Sequence, residues 1–215
     1  MRSLIVLLAA TAAAFSAETV TTVVDNDQVK VLSVTVQPHE KTRLHQHKVN
    51  RVMIYLQAGR QDFAYQNGKK SIVRFKAGEM KWSPAGGMHI AEISSDKPVS
   101  IIEVELKKPG TGAAPRSALD PVKVDKKHYK VELENSQVRV VRVSIGPHEK
   151  TPLHEHSLNR VVAYITDQNI RVTTDGKSET LQHKAGEVSW GSPTKHMEEN
   201  LSDEAFEGVM VELKN

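Results

Sequence analysis

The chain repeats itself. Residues 26–56 lie on residues 135–165 without a gap, and 17 of those 31 positions are identical. The correspondence continues at a slightly shifting offset. It pairs Asn67-Gly68-Lys69 with Asp175-Gly176-Lys177, Lys76-Ala77-Gly78-Glu79 with Lys184-Ala185-Gly186-Glu187, and Trp82 with Trp190. Glu105-Leu106-Lys107 matches Glu212-Leu213-Lys214 near the end. A period of about 108 residues is too long for a solenoid unit and suits a small domain. Whatever one half folds into, the other must fold into as well.

Within each copy the pattern belongs to strands. Residues 29–36 and 138–145 are rich in β-branched residues with polar ones interleaved. Residues 52–56 and 161–165 are denser apolar runs, suited to a more buried strand. Asn67-Gly68 and Asp175-Gly176 are dipeptides favoured in tight hairpins, where both central residues need positive φ. Ala77-Gly78-Glu79 and its partner mark a second turn. No long stretch carries the 3.6-residue apolar period of a helix. The expected fold is all-β, a sandwich or barrel in each half. Residues 109–121, within KPGTGAAPRSALDP, have the composition of a linker. The expected division is residues 18–108, the linker, and residues 122–215.

Residues 1–17 read as a secretory signal. Arg2 supplies the positive start, Leu4 to Ala14 a short apolar run, and Ser16-Ala17 the small residues before cleavage. That run falls short of the ~20 residues that a membrane span requires. Cleavage after Ala17 leaves Glu18 first; Phe15 then fits the −3 position poorly, which keeps cleavage after Ser16 open. The expected compartment is periplasmic or extracellular. The chain has no cysteine, so thiolate chemistry is excluded and stability must come from burial. A formal charge of +3, with no basic stripe interleaved with aromatics, argues against a nucleic-acid partner. There is no phosphate-binding glycine loop and no GxSxG elbow.

Histidine carries the strongest chemical signal. Eight of the ten histidines form four matched pairs: His39/His148, His45/His154, His47/His156 and His89/His196. His45-Gln46-His47 and His154-Glu155-His156 put two imidazoles on one face of a strand. A third histidine follows some forty residues later, far enough for a later strand to return beside the first. Three neutral imidazoles meeting at one point suit a metal ion. His39 and His148 read as loop residues. Tyr55/Tyr164 and Trp82/Trp190 read as core or pocket wall. The charges of residues 123–130 read as a solvated face.

These motifs resemble the cupin superfamily, here as a bicupin with two tandem copies. His45, His47 and Gly59 match its first motif, and Gly78-Glu-Met-Lys-Trp-Ser-Pro84-Ala-Gly86-Gly-Met-His89 its second. The second copy, Gly186 to His196, is one residue shorter and lacks the PxG glycine, although Asn200 stands where the family motif has it. The shortened turn makes that site the less certain of the two. The resemblance implies two antiparallel jelly-roll β-barrels, each with an internal pocket and often a divalent metal. It implies ligands His45, His47 and His89 in one copy and His154, His156 and His196 in the other. Three histidines favour zinc, iron, copper or nickel over magnesium or calcium. It also implies pairing through a sheet, either as a homodimer or between the two halves of one chain.

One departure matters. Where cupins place a ligating glutamate, both copies place arginine, Arg51 and Arg160. A guanidinium has no acceptor and cannot bind a cation. At ~6 Å from a bare divalent ion it is unfavourable by about 5 kcal/mol at an effective dielectric of about 20. The arginine can turn onto a carboxylate, with Glu40/Glu149, Glu79/Glu187, Glu92/Glu199 and Glu105/Glu212 as matched candidates. It can share an anionic ligand with the metal, or line a metal-free anion site with the histidines. It can also be a purely structural ion pair. The corresponding functions are a metal-dependent oxygenase, decarboxylase or isomerase of a small anion, a non-catalytic binder of an anion or metabolite, and a structural module with vestigial pockets.

Overall fold

The computed structural model describes residues 18–215; the signal segment expected at residues 1–17 lies outside them. The N-terminal half runs β1 (Glu18–Asp25), β2 (Val29–Val36), β3 (His45–His47), β4 (Arg51–Tyr55), β5 (Gly59–Tyr65), β6 (Lys70–Phe75), β7 (Met80–Ser83), β8 (Gly86–Ile93) and β9 (Val99–Leu106). After a connection containing a short helix, α1 (Pro121–Val124), the order repeats. It runs β10 (Tyr129–Glu134), β11 (Val138–Ile145), β12 (His154–His156), β13 (Arg160–Tyr164), β14 (Gln168–Thr174), β15 (Lys177–His183), β16 (Val188–Gly191), β17 (Thr194–Asn200) and β18 (Phe206–Leu213).

Each half is two antiparallel sheets face to face. The five-stranded sheets are ordered β1-β2-β9-β4-β7 and β10-β11-β18-β13-β16; the four-stranded ones are β3-β8-β5-β6 and β12-β17-β14-β15. The strands stay in four separate sheets and do not close into a continuous hydrogen-bonded ring. This all-β jelly-roll arrangement agrees with the expected fold class. Among the described residues, no strand of one half pairs with a strand of the other.

The dense apolar runs are explained by what covers the central strands. On β4, Val52 and Ile54 point away from the half's own interior, while Arg51, Met53 and Tyr55 point into it. The outward residues meet their counterparts Val161 and Ala163 of β13 in one apolar cluster, together with Val104, Leu106, Val209 and Val211. The two halves thus bury their five-stranded sheets against each other, as the duplicated sequence allows within one chain. The contact is pseudo-symmetric. Asn50 Nδ2 donates to Gln137 Oε1 at 2.5 Å, and the matched Asn159 Nδ2 donates to Gln28 Oε1 at 3.2 Å. Gly78 lies against Ile165 and Gly186 against Leu56. A repeated patch that recognises its own copy is the logic of a two-fold interface.

Three local expectations are refined. Asp175 and Gly176 both take positive φ, as a two-residue hairpin turn requires, but in the first copy only Gly68 does, in a longer turn. The lysines of residues 123–130 are exposed, yet Asp125, His128 and Tyr129 among them are buried. His128 bridges Asp125 (Nδ1 to Oδ2, 2.7 Å) and Glu149 (Nε2 to Oε2, 2.8 Å), which fixes the start of β10. Asn200, wholly buried, donates to the carbonyls of Ile145, Gly146 and Glu204 and so ties loops together.

Candidate metal centre

The six expected histidines form two trios. In each, the candidate ligand nitrogens lie within 4.8 Å of one another. Strand pairing produces this: His45 faces His89 across β3 and β8, and His154 faces His196 across β12 and β17. The one-residue difference between the copies is absorbed here. In the first half His47 pairs with Gly86 through a bulge; in the second the shorter strand pairs regularly, His156 with Thr194. The shortened turn therefore makes the second trio the more regular and the more buried of the two, with His154, His156 and His196 all buried and only His89 buried in the first. His39 and His148 are exposed loop residues with positive φ, facing Asp96 and Asp203.

The first trio lines a cavity of about 250 Å³ between its two sheets; in the second half His156 and His196 line a cavity of about 290 Å³, and His154 is fully buried outside its lining. Tyr55 and Trp82 line the first, and Tyr164 and Trp190 the second, as pocket walls. Arg51 and Arg160 also reach the cavities, but they differ in what they touch. Arg51 Nη1 donates to Glu103 Oε2 at 2.8 Å, and its Nη2 donates to Ser83 Oγ at 3.2 Å. The same Nη1 lies against both ring nitrogens of His47, 2.6 Å from Nε2. None of the matched carboxylates is this partner. Glu103 corresponds to Met210 in the other copy, so a search for carboxylates shared by both copies passes over it.

Arg160 turns the other way. Its Nη1 donates to the carbonyl of Ser192 at 2.7 Å, and among the described residues it forms no ion pair. Gly191 makes this possible, because a Cβ there would stand 2.8 Å from the Arg160 guanidinium carbon. Ser83 holds the matching place in the first half. Burial lowers the Arg160 pKa, with Glu198 and Glu212 opposing.

The second cavity has its own carboxylate. Glu198, two residues after His196 on the same face of β17, is half-buried beside the trio and accepts from the Tyr129 hydroxyl at 2.8 Å. Burial pushes its pKa up, but His196, His154 and the Tyr129 bond outweigh that and hold it low. Its counterpart in the first half is Ala91, and that of Tyr129 is Val20. His183, unmatched in sequence, stacks on Tyr164 at 4.0 Å where the first half stacks Phe75 on Tyr55. The sequence reading passed over Glu198, for which period-two spacing from His196 was the available signal, and nothing in the sequence singled out Tyr129.

The hydrogen bonds decide which nitrogens are available. His45, His89 and His154 donate Nδ1–H to the carbonyls of Arg43, Gly87 and Pro152, which leaves Nε2 without a proton. Imidazoles held this way are typical of metal ligands. In the second half two Nε2 atoms receive no proton from a protein donor. His196 Nε2 is buried with no partner, and His154 Nε2 faces the Tyr129 oxygen at 3.2 Å while the Tyr129 proton goes to Glu198. This donor set fits a transition metal. In the first half His45 Nε2 and His47 Nε2 are 3.1 Å apart, and Arg51 caps His47. Arg51 Nη1 thus stands on the same His47 Nε2 that faces His45, while His45 Nδ1–H donates to the Arg43 carbonyl. Burial, then Arg51, lowers the His47 pKa to about 3, so that ring is neutral.

Comparison with solved structures matches this architecture over most of the chain. AerE from Microcystis aeruginosa superposes with a TM-score of 0.68 at 11% identity, covering 94% of this chain and 95% of that one. A cupin 2 conserved barrel domain protein from Leptotrichia buccalis gives 0.58 at 13%, covering 94% and 92%. The fold is that of the cupins. An oxalate decarboxylase variant from Bacillus subtilis gives 0.60 at 15%, covering 92% of this chain and 72% of the enzyme. No sequence-family model and no curated protein matches the chain.

Proposed function

We propose that this bicupin is an exported metal-dependent enzyme acting on a small anionic substrate in its C-terminal cavity. The observation that carries the reading is the buried trio His154, His156 and His196, in which His196 Nε2 has no protein partner. These three side chains would hold the ion. A bound transition metal supplies Lewis acidity toward a carboxylate or carbonyl, or a site for dioxygen. Arg160 has donors to spare and lines the same cavity, so it would bind and orient an anionic group. Tyr129 and Glu198 would present a hydroxyl and a carboxylate to the reacting end. Among the cupin neighbours is an oxalate decarboxylase, which supports decarboxylation of a small acid by analogy of fold. Export rests on the expected signal segment.

The test is metal analysis of untagged protein with thermal shifts. A stoichiometric transition metal is expected, lost in His154→Ala. Small carboxylates should raise the melting temperature of wild type but not of Arg160→Ala. Absence of stoichiometric metal overturns the enzyme reading. A carboxylate shift that persists without metal, and without any turnover, favours the alternative, a non-catalytic anion-binding protein.

A further inference from the structure

We infer that the molecule takes one metal ion per chain, in the C-terminal half, and that Arg51 closes the N-terminal trio to metal. The inference rests on the metal reading above and goes beyond its symmetric form, in which both pockets are loaded. Three observations carry it. First, the Arg51 guanidinium is seated on His47 itself, between that ring and Glu103, so a permanent positive charge stands against a nitrogen that would have to bind the ion. Second, the His47 nitrogen that would bind the ion is already crowded: its Nε2 lies 3.1 Å from His45 Nε2 and 2.6 Å from Arg51 Nη1. An ion must displace the guanidinium before it gains that ligand. Third, the matching side chains of the second half leave the centre open. Arg160 turns to the Ser192 carbonyl over Gly191, and His196 Nε2 stays unpartnered.

The asymmetry is built by several substitutions acting together. Met210 replaces Glu103 and removes the anchor that draws the arginine inward. Gly191 replaces Ser83 and opens the seat that Arg160 takes. Glu198 replaces Ala91 and brings an additional oxygen donor to the second trio's cavity. Each change points the same way: the first pocket is internally neutralised and the second is prepared for an added cation.

The experiment is a cobalt(II) titration of chelator-stripped, untagged protein, read by calorimetry and by the visible absorption of the bound ion. One ion per chain is expected for wild type, none for His156→Ala and one for His47→Ala. Arg51→Ala should admit a second ion. Because that change strands Glu103, the double variant Arg51→Ala/Glu103→Gln is titrated beside it, with the same expectation. Two ions in wild type, one of them lost in His47→Ala, overturn the inference and leave the enzyme reading standing. A single ion lost in His47→Ala but kept in His156→Ala overturns it too. No ion in wild type overturns both readings. A ratio of one in both folded Arg51 variants shows that Arg51 is not what closes the first trio.

Discussion

Arg51 and Glu103 form a buried ion pair diagonally across β4 and β9, Nη1 to Oε2 at 2.8 Å, and its counterpart in the other half is Arg160 beside Met210. The diagonal is the second-nearest relation on one face of an antiparallel pair, within reach of long side chains. Burial raises the Glu103 pKa, with Arg51 opposing, so the carboxylate depends on that guanidinium. Removing one partner of such a pair leaves an uncompensated charge and costs about 3–5 kcal/mol, whereas replacing both by apolar groups is often neutral. Arg51→Ala should therefore lose about that much in urea unfolding, and Arg51→Met/Glu103→Met should recover most of it. A loss below ~1 kcal/mol in the single variant contradicts a buried pair.

The neutral histidines make metal-free stability dependent on pH. Burial is the largest influence on His196; Glu198 opposes it, His154 and Arg160 add to it, and the pKa falls to about 4. In the unfolded chain it returns to about 6.5. Between those values the unfolded chain holds a proton that the folded one lacks, so acid favours unfolding. The contribution is complete above pH ~6.5 and lost as pH falls towards 4, at up to about 1.4 kcal/mol per unit. Urea midpoints of stripped protein should drop from pH 7 to 4.5, and less steeply in His196→Gln. A flat wild-type profile would falsify the neutral assignment.

Much of the fold could be read before any coordinates, because duplication tests every local inference twice. The repeated strand patterns, the turn glycines Gly78 and Gly186, and the two trios all come from features present in both copies. The same reliance on repetition concealed the chemistry that distinguishes the halves. Glu103 corresponds to Met210, Glu198 to Ala91 and Tyr129 to Val20, so none stands out when the copies are aligned. Glu103, set between Ile102 and Val104 in β9, was a usable signal, since a buried charge needs a partner. The turn of Arg160 was not readable, because it depends on the space left by Gly191 on a neighbouring strand.

Tyr129 is fully buried and its hydroxyl is the one protein donor seen on Glu198 among the described residues. Burial raises the Tyr129 pKa well above its usual range, and Glu198 adds to this, so the phenol keeps its proton and donates. Tyr129→Phe removes that donor and leaves a half-buried carboxylate less satisfied, at a cost of about 1–3 kcal/mol. Adding Glu198→Ala, the residue found at the matched Ala91, should restore most of the loss. Chemical denaturation of the three variants checks this; strictly additive losses would show that the two groups do not interact.

Gly191 should be unusually intolerant of a methyl group, although its backbone is not in the left-handed region. The obstacle is Arg160, whose Cζ, Nε and Cγ lie 2.8, 2.9 and 3.0 Å from where a Cβ would sit. Arg160 is buried and its Nη1 is held by the Ser192 carbonyl, so it cannot give way without losing that bond. Gly191→Ala should cost about 1–3 kcal/mol, the range for overpacking a filled site. If the cost comes from the guanidinium alone, Gly191→Ala should be close to neutral in an Arg160→Ala background, a coupling that a double-mutant cycle measures directly. Equal costs in the two backgrounds would mean that Gly191 is needed for some reason other than seating Arg160.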